Sequence, residues 1–235
     1  MNTSLSDLPD LCRAKPHVLD TWFDTAKEKT YFCIALIIIG GGFYGAAMGY
    51  WRDPLQAFYI AVKFPLLLLL VALGNAVLNG MLAQVLGLNL SFRHSFLAIL
   101  MSFALLSVIV GALTPLCFFL IYNLPSLHDP TPQFTYSALV YTHVIIIAFA
   151  GTMANIRLIN LLQHLCGERQ QARYIFSTWL AVNLLLGSQL SWNLRPFLAR
   201  LTPLSHFFVI ILFKVVFMKA YLIWHYVFYL IEVTQ

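Results

Sequence analysis

The side chains able to do acid–base, nucleophilic or metal chemistry are few and scattered along this chain. Its nine carboxylates are Asp7, Asp10, Asp20, Asp24, Glu28, Asp53, Asp129, Glu168 and Glu232. None lies inside a long apolar run, so no two are placed there to divide the acid and base roles of a hydrolysis. The four cysteines, Cys12, Cys33, Cys117 and Cys166, form no C-x-x-C pair and keep no metal spacing; they read as small buried apolar side chains. No G-x-S-x-G elbow, H-E-x-x-H pair or phosphate-cradling glycine loop occurs. The expectation is a protein that is not an enzyme and needs no metal or cofactor. Haem held by histidines on facing helices is the one alternative left open.

The polar groups that remain inside apolar stretches are mostly amides. Asn75 and Asn79 share one helical face, with Gln84 a turn beyond, and Asn183, Gln189 and Asn193 recur farther along. In an apolar surrounding such amides need hydrogen-bond partners. They therefore either join helices or line a polar path for a small solute, for which Asn75 and Asn79 are the candidates. His143 stands in an apolar run with no carboxylate near it and reads as a packed or interface residue. Arg157, with Asn155 and Asn160, suits a lipid phosphate or the last carbonyls of a helix.

Two patches are denser. Gln189, Trp192 and Asn193 fall on one helix face, and Arg195-Pro196 ends that helix ahead of Phe197. This combination binds an anionic headgroup or a partner, or anchors the chain in the aromatic belt with a snorkelling arginine. Gly41, Gly45 and Gly49 repeat every four residues, with Gly40, Gly42 and Ala46 beside them. Small residues at that spacing leave a flat groove for close helix approach, within the chain or between copies.

The elements that must carry these residues follow from composition. Of 235 residues, 60% are hydrophobic and 10% charged, with a mean hydropathy of +0.81. Soluble domains are about a quarter charged, and a water-soluble globule of this make-up would expose apolar surface it had no means to hide. A bilayer-crossing helix needs about 20 mostly apolar residues. Five stretches offer them, at 30–50, 64–86, 96–122, 137–158 and 174–194, and a sixth at 207–230 is interrupted by Lys214, Lys219 and His225. The expected fold is all-α: a polytopic integral membrane bundle of five or six transmembrane helices over 30–235, behind an N-terminal segment 1–29. With five spans, Arg13, Lys15, Lys27, Lys29, Arg93, Arg157, Arg169 and Arg173 share one side, against Arg52, Lys63, Arg195 and Arg200 on the other. That bias puts the N-terminus in the cytoplasm of a cell (inner) membrane protein. The net charge of +5 belongs to loops facing anionic headgroups, with no nucleic acid among the partners.

Segment 1–29 shows no signal-peptide pattern, so the spans themselves are expected to direct insertion. Val18, Leu19, Trp22, Phe23 and Ala26 recur at helical spacing opposite Asp20, Asp24, Lys27 and Glu28. This predicts an interfacial amphipathic helix on the cytoplasmic leaflet; a partner-binding helix would have the same pattern. Asp53-Pro54 reads as a helix cap and first helical position. A helix from there to Leu86 would run roughly 50 Å, too long to cross upright. The spacing therefore predicts a kink at Pro65, with 54–64 in the interface and Lys63 reaching the headgroups, and a second kink at Thr114-Pro115.

Several of these pieces occur in one order along most of the chain: Tyr44-Gly45-x-x-Met48-Gly49, then Leu55-Gln56-x-x-Tyr59-x-Ala61-x-Lys63-x-Pro65, then Leu113-Thr114-Pro115-Leu116, and finally Gly187-x-Gln189-Leu190-x-Trp192-x-Leu194-Arg195-Pro196-Phe197. In them the chain resembles a bacterial family of polytopic membrane proteins without an assigned activity, broadly Yip1-like in size and span count. The resemblance implies an integral membrane protein of about five spans and carries no catalytic residue with it. The Asp-Leu-Tyr-Gly-Pro motif of Yip1 proper is absent from this sequence. The functional expectation is a non-enzymatic scaffold or subunit of a membrane assembly, with the bilayer and other membrane subunits or further copies as partners. The alternative is a channel, a pore-forming effector or a small-solute transporter.

Overall fold

A computed structural model describes residues 7–13, 22–23, 25–51, 53–85, 92–124, 132–166 and 169–193, and among these the regular structure is helical throughout. The helices are α1 (Asp7–Arg13), α2 (Ala26–Tyr50), α3 (Pro54–Val85), α4 (Phe92–Ala112), α5 (Thr114–Asn123), α6 (Pro132–Cys166) and α7 (Arg169–Asn193). Among the described residues, four helical stretches are long and apolar enough to cross a membrane: Ala26–Tyr50, Pro54–Leu82, Phe92–Asn123 and Tyr141–Gln163. Helix α7 covers the fifth expected stretch and has 25 residues, but Ser177, Thr178, Asn183 and Gln189 make it more polar than those four. The sixth, 207–230, lies outside the described residues.

The distribution of polarity in the bundle is compatible with a membrane protein. Along α3 the exposed side chains include Leu55, Phe58, Val62, Leu66, Leu70, Leu73 and Met81. At 1.5 Å per residue, that apolar stripe is about 40 Å long, enough to pass through a hydrocarbon core. Meanwhile Asn75, Asn79, Ser95, Ser107 and His143 are buried. In water the two sets would be exchanged.

Helix α2 is central. It packs most extensively on α3 and then on α4, while α4 packs on α6 and α7 closes against α3 and α6. The core forms two tiers. One gathers Cys33, Ile37, Ala72, Ala76, Leu97, Leu100, Leu162, Ile175 and Trp179. The other gathers Tyr44, Met48, Phe64, Val110, Cys117, Ile146 and Ala150 around the junction of α4 and α5.

Local chemistry accounts for the breaks between helices. Asp53 Oδ1 accepts a hydrogen bond of 2.7 Å from the Leu55 N–H, capping α3 as the Asp53-Pro54 pair predicts. The interruption at Thr114-Pro115 is also present. Leu113 separates α4 from α5, and Thr114 Oγ1 donates back to the Val110 carbonyl at 3.2 Å. Pro115 has no N–H to give the Gly111 carbonyl, so the ladder breaks there.

Helix α3 is a single helix from Pro54 to Val85 with Pro65 inside it, so 54–64 is not set off from the span as a separate helix. Pro65 leaves the Ala61 carbonyl without its helical donor. That oxygen faces Gly42 of α2, where an added Cβ would lie 3.5 Å away, and Pro65 itself packs on Gly41. The neighbouring glycines leave room for the proline ring and the freed carbonyl against α2.

Candidate functional site

The glycine face is occupied inside the molecule. A Cβ on Gly41 would rest 3.4 Å from the Pro65 side chain, one on Gly45 would lie 2.6 Å from the Ile60 carbonyl oxygen, and one on Gly49 would lie 2.7 Å from the Ala57 backbone. Gly41, Gly45 and Gly49 therefore form the seam between α2 and α3, where backbone meets backbone. A second close approach lies on the other side of α2. A Cβ on Gly40 would collide with the Ser107 carbonyl, and one on Gly111 would lie 2.9 Å from the Gly40 Cα. Sequence spacing pointed to the first seam. Gly111 stands alone in its helix and gave no periodic signal.

His143 has a partner that its sequence neighbourhood does not contain. The Tyr44 hydroxyl lies 2.9 Å from His143 Nδ1 and 3.5 Å from the His143 carbonyl oxygen. Both side chains are buried, at 0% and 7% exposure, with the rings edge to face at 5.5 Å. This pair ties α2 to α6 across the second core tier. A hydroxyl partner 99 residues away cannot be read from spacing.

The two candidate polar-path residues lie on the side of α3 that meets α7. Asn75 and Asn79 are both fully buried on α3. Asn79 Nδ2 donates to Asn183 Oδ1 of α7 at 3.3 Å, and Gly74, next to Asn75, faces Leu186 of α7. Hydrogen bonds of this kind between membrane helices are worth about 0.6 kcal/mol on average. Asn183→Ala should accordingly lower the unfolding free energy in mixed detergent micelles by about 0.5 kcal/mol. A loss above about 2 kcal/mol would show that Asn183 holds more than this one bond.

Of the second patch, Gln189 is exposed on α7, and Trp192 and Asn193 form the end of that helix. Arg195 lies outside the described residues, as does the end of the motif that carries the family likeness. The arrangement of these four around a headgroup or partner therefore stays an expectation.

At the N-terminal end, residues 14–21 of the amphipathic stretch lie outside the described residues, while Trp22, Phe23 and Ala26 are buried in the first core tier. Phe23 meets His94 at 4.8 Å, and the Lys29 ammonium sits 4.8 Å from the Trp22 ring centre. Leu11 of α1 reaches a small cavity, about 20 Å³, with Ala98, Met101, Ser102, Arg157 and Leu158. Burial pushes the neighbouring Cys12 thiol above its usual 9.0, partly opposed by the Arg157 guanidinium. The thiolate is the reactive form, so a raised pKa means slow alkylation at neutral pH. In a Cys166→Ser background, maleimide labelling of Cys12 should climb about tenfold per pH unit and still be climbing at pH 9. A rate already flat by pH 8 would contradict the placement of α1.

Taken together, fold and site define the class: over the described residues, a helical protein with four helices able to span a membrane, held by glycine crossings and a few buried polar contacts. No protein-family model, curated protein or solved structure matches the chain.

Proposed function

We propose that the protein is a non-enzymatic scaffold or subunit of an assembly in the cell (inner) membrane. In this reading the chain crosses the bilayer at least five times, α7 being the fifth crossing, and its N-terminus lies in the cytoplasm. Its partners are the bilayer and other membrane subunits or further copies of itself. One observation carries the reading: two of the buried polar groups that a conduction path could use link one helix to another. Asn79 donates to Asn183, and Tyr44 meets His143. The surface left to act is the outer one, where Phe58, Leu66 and Leu73 face away from the bundle. The resemblance noted in the sequence agrees with the span count of this reading, since it implies about five spans.

Two measurements test it together. Purified protein in liposomes should pass ions and small solutes no faster than empty vesicles. Cross-linking in native membranes should capture one complex of reproducible mass, lost when exposed Phe58 and Leu66 are replaced by alanine. Protein-dependent flux that disappears in Asn75→Leu or Asn79→Leu would sink the scaffold reading in favour of the channel or transporter. Gly45→Leu is unsuitable for the partner test, because Gly45 packs inside the chain.

A further inference from the structure

We infer that α6 carries a site for an anionic phospholipid, with the phosphate held by Arg157 and Asn160 and an acyl chain laid along Met153, Phe149 and Ile145. All of these side chains are exposed. Ile145, Phe149, Met153 and Arg157 recur at every fourth residue, after an equally exposed Tyr141, and so form one oblique ridge of the helix. From Ile145 to Arg157 the ridge rises about 18 Å, close to the depth of one leaflet, about 15 Å of hydrocarbon.

Charge decides what lies on it. Arg157 is the only lysine or arginine of α6, and the helix holds no aspartate or glutamate. It falls within the spanning stretch Tyr141–Gln163, where an ionised side chain is rare and marks a functional site by default. The last carbonyls of its own helix are out of its reach. Helix α6 continues from Arg157 to Cys166, and a helical side chain leans back toward the N-terminal end. A guanidinium presents its N–H donors as a planar fork that suits two phosphate oxygens at once, and the Asn160 amide, about one turn on, adds another donor. Apolar carbon adjoins the charge, because Met153 lies a turn back and the small cavity that Arg157 lines is otherwise walled by Ala98, Met101 and Leu158 among others. Apolar ridge, cation and amide thus follow one another along α6 as chain, phosphate and headgroup do in one lipid. A choline headgroup brings its own ammonium to compete for the phosphate, so a lipid of net negative charge is preferred.

The probe is photoactivatable phosphatidylglycerol, with phosphatidylcholine carrying the same photoactivatable chain as its control. The full chain is reconstituted in phosphatidylcholine bilayers with a small fraction of one or the other, irradiated, and the adducts are located by peptide mass spectrometry. Phosphatidylglycerol is expected to label 145–157 about fivefold more than phosphatidylcholine, the preference that one basic residue confers at a membrane surface. Arg157→Gln should abolish that preference and Arg157→Lys should keep most of it. Equal yields from the two lipids on the wild-type chain overturn the site, and this comparison decides even if Arg157→Gln fails to fold. A preference that survives Arg157→Gln overturns it too. So does a ridge left unlabelled while other helices are labelled, as expected if a second copy covers it. The site rests on the proposed membrane location: a chain outside the bilayer gives no adduct with either lipid, which overturns both, whereas equal yields overturn the site alone. The assembly reading is tested separately, by cross-linking and solute flux.

Discussion

Gly45→Ala is expected to destabilise the protein by about 2 kcal/mol, even though alanine is the better helix former by about 1 kcal/mol. The new methyl carbon would lie 2.6 Å from the Ile60 carbonyl oxygen and 3.0 Å from its carbon. Those are backbone atoms inside α3, so relief requires α2 and α3 to separate along the whole seam. Gly42→Ala is the matched comparison. Its nearest neighbour would be the Ala61 oxygen at 3.5 Å, an ordinary contact, so propensity decides and the variant should be as stable as wild type or more so. Equilibrium unfolding of both variants in mixed micelles gives the two signs directly. If Gly45→Ala matched Gly42→Ala, the glycine repeat would not be the α2–α3 seam, and an interface between copies would become the better account.

The Tyr44–His143 pair is expected to be strongly coupled. Tyr44→Phe removes one hydroxyl and leaves His143 Nδ1 buried without its partner, at about 1–3 kcal/mol. His143→Phe leaves the Tyr44 hydroxyl only the carbonyl at 3.5 Å, with a similar loss. With both changes made, neither orphan remains, so the double variant should be much less destabilised than the sum of the single ones. A positive coupling of about 1 kcal/mol is expected from the same unfolding experiment. Additive losses would mean that the two side chains are not bonded, and α2 and α6 would then lack their buried polar link.

These two predictions differ in how far the sequence foresaw them. The four-residue glycine period is a local pattern, and a helix converts local spacing directly into a face, so Gly41, Gly45 and Gly49 were legible as one groove. What fills a groove is not a local property. Ile60 and Ala57 do so because the turn at Asp53 folds α3 back along α2, and the same fold sets Pro65 against Gly41. At both Pro65 and Pro115 the missing N–H was legible in the sequence. The partner that receives Pro65 was not, because Gly41 belongs to another helix.

The amphipathic pattern near residue 22 shows the same limit from another side. Spacing marks Trp22 and Phe23 as one apolar face but does not say whether that face meets lipid or protein. Here they join the first core tier beside Phe32 and His94. Likewise, His143 looked solitary because its partner lies on another helix, and nothing in the spacing of Asn75 and Asn79 points to Asn183, the amide that Asn79 meets.

The sequence by itself determined that the units are long apolar helices, suited to a membrane. Long apolar runs free of carboxylates make helices that satisfy their own backbones in oil, and that requires only composition and length. Tertiary structure alone decided which faces meet. Pairing among helices of nearly uniform hydrophobicity rests on backbone approach at single glycines and on hydrogen bonds between residues far apart in the chain, quantities that no linear period encodes.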